Sequence, residues 1–342
     1  MLKKESILKL ENIYTAHAFQ VDGDFFVGAG SETEPEVALY HFSQHRHERI
    51  PDCPGGMMSF IPVPGRKNEF LSIMGLFPPF IGGDAGLYSH VYSSGEWKTS
   101  RVMDLPFAHR CEFVQEGDGV FLVAAVVSRF KENPSDWSEP GQVHIIELEK
   151  QDQHPWQSEV IGKQLFRNHG MTKTVLHGKE TVCVSGAQGI FAVQRRNERW
   201  QMDQLFSYEV SEMSFTDLDG DGMDELITIE PFHGDQLCIY KHDGKEWKLM
   251  FSDSLSFGHG LSAGIFKGIP VVVAGNRSGS LALEMFSVGN LLKGIVKKSV
   301  IETNAGPTQT QVWKVGSEDY IVSANQRKNE VALYTAEGGW TP

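Results

Sequence analysis

Cysteine is scarce, and Cys53, Cys111, Cys183 and Cys238 are scattered with no Cys-x-x-Cys pair among them. That argues against a disulfide scaffold or a zinc knuckle and is expected of reduced thiols in a cytoplasmic protein. Long apolar runs are missing as well. No stretch approaches the ~18 residues of a membrane-spanning helix, and the opening MLKKESILKLEN has no apolar segment of secretory-signal length. Positive charge is in deficit, with 31 Lys and Arg against 44 Asp and Glu. The resulting net charge of −13 disfavours nucleic acid and anionic membranes, which bind through cations that neutralise phosphates. Neither GxGxxG, a P-loop nor HExxH occurs, which turns the reading away from nucleotide and zincin chemistry. Amphipathic helical periodicity is also lacking.

What the chain does contain is a repeat. Hydrophobic residues make up 40% of the 342 and charged residues 22%, a globular composition able to bury a sizeable core. Trp97, Trp156, Trp200, Trp247 and Trp340 each follow a polar or Gly-containing turn and open a short segment, at separations of 59, 44, 47 and 93 residues. A period in the high forties, doubled once and lengthened by insertions, is the mark of a propeller blade. Blade five shows four strands in EMSFTDL, ELITIEPF, QLCIYKH and WKLMFSD, the sheet of one blade. The expected fold is all-β: a seven-bladed propeller of four-stranded blades in one domain spanning 1–342. The last blade runs out at Trp340-Thr341-Pro342, so the N-terminal ESILKLEN is expected to supply its outer strand and remove an exposed edge.

Inner strands are expected to start near His17, Met57, His109, His169, Glu212, His259 and Thr308. Four of these seven positions are His. In a closed propeller such positions face one pore mouth, so His17, His109, His169, Glu212 and His259 are the candidate acid/base residues. Of these, His109, His169 and His259 are the candidate ligands of Mn²⁺, Zn²⁺ or Fe²⁺. The remaining histidines, His41, His45, His47, His90, His144, His154, His177 and His242, read as structural or surface residues. Arg110 and Gln309 neighbour the mouth positions. The loops at 75–86 and 128–142 carry Phe80 and Trp137, able to stack on a sugar face, while His233, Arg277 and Gln326 offer polar contacts from shorter loops.

The segment 217–225, DLDGDGMDE, alternates carboxylates with turn-forming glycines, a density of hard oxygen ligands suited to Ca²⁺. It resembles the loop of FG-GAP or VCBS repeats, which joins the first two strands of a propeller blade. That resemblance implies a structural Ca²⁺ held by the Asp217, Asp219, Asp221 and Glu225 side chains and the Met223 carbonyl. Together with the histidine mouth, the chain resembles propeller enzymes acting on carbohydrates: the propeller part of aldos-2-ulose dehydratase and, more distantly, oligogalacturonate lyase. The resemblance implies a metal-dependent lyase or dehydratase acting on a small keto-sugar or uronate. The alternative is a non-catalytic propeller that binds a protein or glycan on the same face.

Overall fold

The computed structural model describes residues 2–151 and 155–338; His154 and the Trp340 marker lie outside the described residues. The chain is a seven-bladed β-propeller, seven four-stranded sheets with almost no helix. Six sheets take their strands in chain order, and the seventh is completed by Leu2–Lys9 beside Glu330–Ala336. The terminal strand pairs antiparallel from Leu2 with Ala336 to Lys9 with Glu330, with a bulge between Ser6 and Leu8. Ile7 and Leu8 are buried there, while Lys4 and Lys9 reach the carboxylates of Glu302 and Glu330.

The residues group into two compact units, Met1–Ala18 with Ser211–Pro342 and Phe19–Val210. In the first, the strands Glu225–Glu230 and Ile269–Asn276 place Ile227, Ile229, Val272 and Ala274 in one apolar cluster with Leu218 and Phe286. In the second, Val123, Val143, Ile145, Val182 and Val184 form an equivalent layer between the third and fourth blades. These β-branched residues recur at alternate positions, so one side of each central strand meets one neighbouring blade. Close approach is bought with glycine: a Cβ at Gly28 would sit 2.3 Å from the Phe60 ring, and one at Gly30 would sit 2.2 Å from Met57 sulfur.

The tryptophans mark outer strands. Trp97, Trp200 and Trp247 lie at the starts of Glu96–Asp104, Arg199–Phe206 and Trp247–Ser254, and Trp156 is buried just ahead of Glu159–Leu165. Those within strands also pack on neighbouring rings: Trp97 lies 5.6 Å from Phe70 and Trp200 5.1 Å from Phe121. No helix among the described residues is long and apolar enough to cross a membrane.

Candidate functional site

In the unit holding the first 18 residues and those from 211 onward, four inner strands begin at Ile13, Glu212, Gly258 and Pro307. His259, one residue into its strand, is buried with Nδ1 2.7 Å from the Thr308 carbonyl. A carbonyl only accepts, so Nδ1 carries a hydrogen, and in the neutral ring Nε2 bears the lone pair. That lone pair faces the Tyr14 hydroxyl at 3.0 Å, which donates to it. Thr308 in turn donates from Oγ1 to the Tyr14 carbonyl at 2.7 Å. His233, in the loop before Gln236–His242, stacks on His259 at 5.3 Å and lies 4.8 Å from Phe257. The Arg277 guanidinium lies 5.8 Å from the centre of the Tyr14 ring and donates to Gln326 Oε1 at 2.5 Å. The result is an imidazole hydrogen-bonded at once to a backbone carbonyl and a phenol, a pair able to take up and return one proton.

The 19–210 unit repeats the device. His109, the second residue of Ala108–Glu116, lies with Nδ1 3.1 Å from the carbonyl of His169, which immediately precedes Gly170–Leu176. Its Nδ1 therefore donates and its Nε2 carries the lone pair, as for His259. The His109 and His169 rings are 4.2 Å apart. Phe80 lies 6.3 and 6.4 Å from them, and Trp137 stands edge-on to Phe80 at 5.0 Å. The loop that carries Trp137 is held by its own polar groups. Ser128 Oγ reaches the Phe130 and Glu139 carbonyls, and Asp136 accepts from the Glu132 and Ser138 amides. Those bonds to the Glu132 and Ser138 amides and the Ser138 hydroxyl keep the Asp136 carboxyl down at about 2.

Several expected site residues are placed differently. His17 is the fifth residue of Ile13–Val21, not at its start; the strand begins earlier, and Tyr14 takes the position equivalent to His259. Arg110 donates to the Met58 carbonyl at 3.2 Å and Gln309 accepts from the Ala16 amide at 3.0 Å, so both brace neighbouring strands. Glu212 opens its strand and is buried. His259, His233, Arg277 and Gln326 come together in one unit, and His109, His169, Phe80 and Trp137 in the other. Sequence reasoning missed Tyr14, Phe257 and Lys131. Two histidines read as structural are so: burial pushes His90 down to about 3 between Ser72 and Thr99, and His144 down to about 4 beside Ser158.

The acidic loop joins the strands Glu212–Thr216 and Glu225–Glu230, the first two of the fifth blade. Ligand oxygens of Asp217, Asp219 and Asp221 lie within 4.8 Å of one another. A cation of the chain itself already sits there: the Lys241 ammonium is 2.8 Å from Asp219, 2.8 Å from Asp221 and 2.7 Å from Glu225. Asp217 accepts from the backbone amides of Gly220, Asp221 and Gly222, and Glu225 also accepts from Leu218 N. Although burial works against charge on Lys241, its bonds to the three carboxylates raise its pKa well above the ordinary lysine value. Met223 is exposed at the tip of the loop and donates its amide to Asp221. The donor types are those of the FG-GAP loop, but most of the side-chain oxygens that the resemblance gives to Ca²⁺ are engaged by Lys241 and by backbone amides, while Asp219 Oδ1 is buried without a hydrogen-bond partner.

Fold and strand-start histidines thus define a β-propeller with two matching imidazole arrangements. Among solved structures, a luciferin-regenerating enzyme is similar over 99% of this chain and 96% of its own, with a TM-score of 0.54 and 9% sequence identity. At that identity the likeness shows the fold. No protein-family model matches the chain, and no curated protein matches it.

Proposed function

We propose that the protein is a lyase or dehydratase acting on a small sugar derivative at the strand-start histidines. The observation that carries this reading is the Tyr14–His259 pair, in which Nδ1–H donates to a backbone carbonyl and Nε2 lies 3.0 Å from the phenol oxygen. In the proposed elimination, Tyr14 Oη takes the C–H proton next to the sugar carbonyl or carboxylate as its own proton passes to His259 Nε2. The C–H electron pair forms the new double bond, the neighbouring hydroxyl leaves, and the same pair returns the proton to it as water. The resulting imidazolium keeps its Nδ1–H bond to Thr308. Arg277, beside Tyr14, and Gln326 orient the substrate's oxygens.

His109, with Nδ1–H donated to a backbone carbonyl, has the arrangement usual for imidazole ligands of divalent metals. His109 and His169 are the residues proposed to hold Mn²⁺, Zn²⁺ or Fe²⁺, which when bound would polarise the substrate carbonyl or carboxylate, whereas His259 is given to proton transfer. Glu212, buried at the start of its strand, is the further carboxylate proposed for acid–base work in the unit that holds Tyr14 and His259. His17, displaced along its strand, takes no part.

The test is elimination activity of variants that retain the wild-type melting temperature. Tyr14→Phe and His259→Gln are each expected to lower kcat by about 10²–10⁴-fold, the range of general acid–base catalysis. His109→Ala should weaken Mn²⁺ or Zn²⁺ binding in calorimetry. Unchanged kcat in both Tyr14→Phe and His259→Gln would overturn the enzymatic reading. A second reading, a non-catalytic propeller that binds protein or glycan, is favoured by Phe130 and Ile81, which are 60% and 61% exposed on the loops that carry Trp137 and Phe80.

A further inference from the structure

Lys131 stands out among the described cations. Its Nζ is buried and finds no hydrogen-bond acceptor, although an ammonium offers three donors and leaving one unmet in the interior is costly. It lies 3.3 Å over the centre of the Trp137 ring and 5.4 Å from that of Phe80. Phe80 in turn packs against His109 and His169. The two ring faces attract the cation but satisfy none of its N–H groups.

We propose that Lys131 is a carboxylate-binding residue, and that the ligand taken up beside Phe80 and Trp137 is a sugar acid rather than a neutral keto-sugar. The ligand carboxylate reaches Nζ by taking the place of the Trp137 indole face, exchanging a cation–π contact for a charge-assisted hydrogen bond. The surrounding charges agree. Burial, with the Arg167 guanidinium adding to it and Asp136 opposing, brings Lys131 down to about 8, so it remains largely cationic at neutral pH. Arg167 is paired with Glu209 at 2.6 Å and Asp136 is engaged by its own loop, which leaves the ammonium to an incoming acceptor. The choice of a sugar as the body of the ligand rests on the carbohydrate reading above; the carboxylate does not.

The probes are D-galacturonate, D-galactose and acetate, followed by calorimetry and by tryptophan emission, with Trp137→Phe assigning the emission change. Galacturonate is expected to bind at least about tenfold tighter than galactose. Lys131→Met should erase that difference and Lys131→Arg should keep it. Equal binding of the two sugars, or a preference that survives in Lys131→Met, overturns the carboxylate assignment and leaves the sugar reading standing. Acetate binding that is lost in Lys131→Met, with neither sugar bound, upholds the assignment and removes the sugar. Absence of binding by all three probes overturns it.

Discussion

Removal of residues 2–9 is expected to lower the melting temperature by about 10 °C or more, or to leave the protein aggregated. The deleted strand supplies the whole outer edge of the seventh blade, and without it Glu330–Ala336 becomes an unpaired edge open to other chains. Burial of Ile7 and Leu8 contributes roughly 1.5–3 kcal/mol each. Glu330, whose side chain is only 4% exposed, would lose both Lys4 and Lys9, and a buried charge stripped of its partners costs about 3–5 kcal/mol. These terms approach the whole stability of an ordinary domain, about 5–15 kcal/mol. Circular dichroism melts of the truncated and full chains decide the matter, and melting within 2 °C of each other, as an approximate margin, would refute the role of the strand.

The same carboxylate gives a pH signature. Burial alone would raise Glu330, but hydrogen bonds from Lys4, Lys9 and Ser6 outweigh it and hold the carboxyl at about 2, below the ordinary 4.5. A depressed carboxyl stabilises the fold fully above its unfolded value, and that contribution fades as pH falls from 4.5 toward 2. Glu330→Gln should be less stable at neutral pH and should lose less stability across that acid window than the wild type, as read from urea midpoints at each pH.

Replacing Lys241 by Met is expected to make the fifth blade depend on Ca²⁺. In the wild type one ammonium serves Asp219, Asp221 and Glu225, and the Glu225 side chain is fully buried. Without the ammonium these carboxylates and Asp217 repel one another, at a cost of about 3–5 kcal/mol by analogy with other broken buried pairs. The vacated oxygens are hard ligands of the kind Ca²⁺ prefers. Ca²⁺ at a hundred times its dissociation constant would restore about 2.7 kcal/mol. Calorimetric scans with and without millimolar Ca²⁺ should therefore show a rise for Lys241→Met and little or none for the wild type. A wild type that gains as much as the variant would show that the metal displaces the lysine.

The blades were legible because their signals are local and repeated. Tryptophans at outer strands fix the period, and a last blade short of its fourth strand calls for the N-terminal segment. The acidic loop was placed correctly between two strands because its alternating carboxylates and glycines leave few other conformations. What the sequence hid depended on partners far along the chain. Lys241 meets Glu225 only because Leu226 pairs with Tyr240, which brings the next residue out on either side into register. Residue type alone points to His17 as a strand start, whereas the strand itself begins at Ile13 and has Tyr14 at its second position. Lys131 lies in an irregular loop where no periodicity reports that its side chain folds back over Trp137.

The four thiols have a further consequence. Cys111, Cys183 and Cys238 lie within strands of the third, fourth and fifth blades, and Cys53 follows the last strand of the first. All are buried and unpaired, and burial pushes every one up, Cys53 and Cys238 to about 11 and Cys183 to about 12. An alkylating reagent meets almost no thiolate until the surrounding sheet opens. The chain thus carries its own clocks, each set in a different place, and the order in which the cysteines become labelled in mild denaturant will record the order in which the blades come apart.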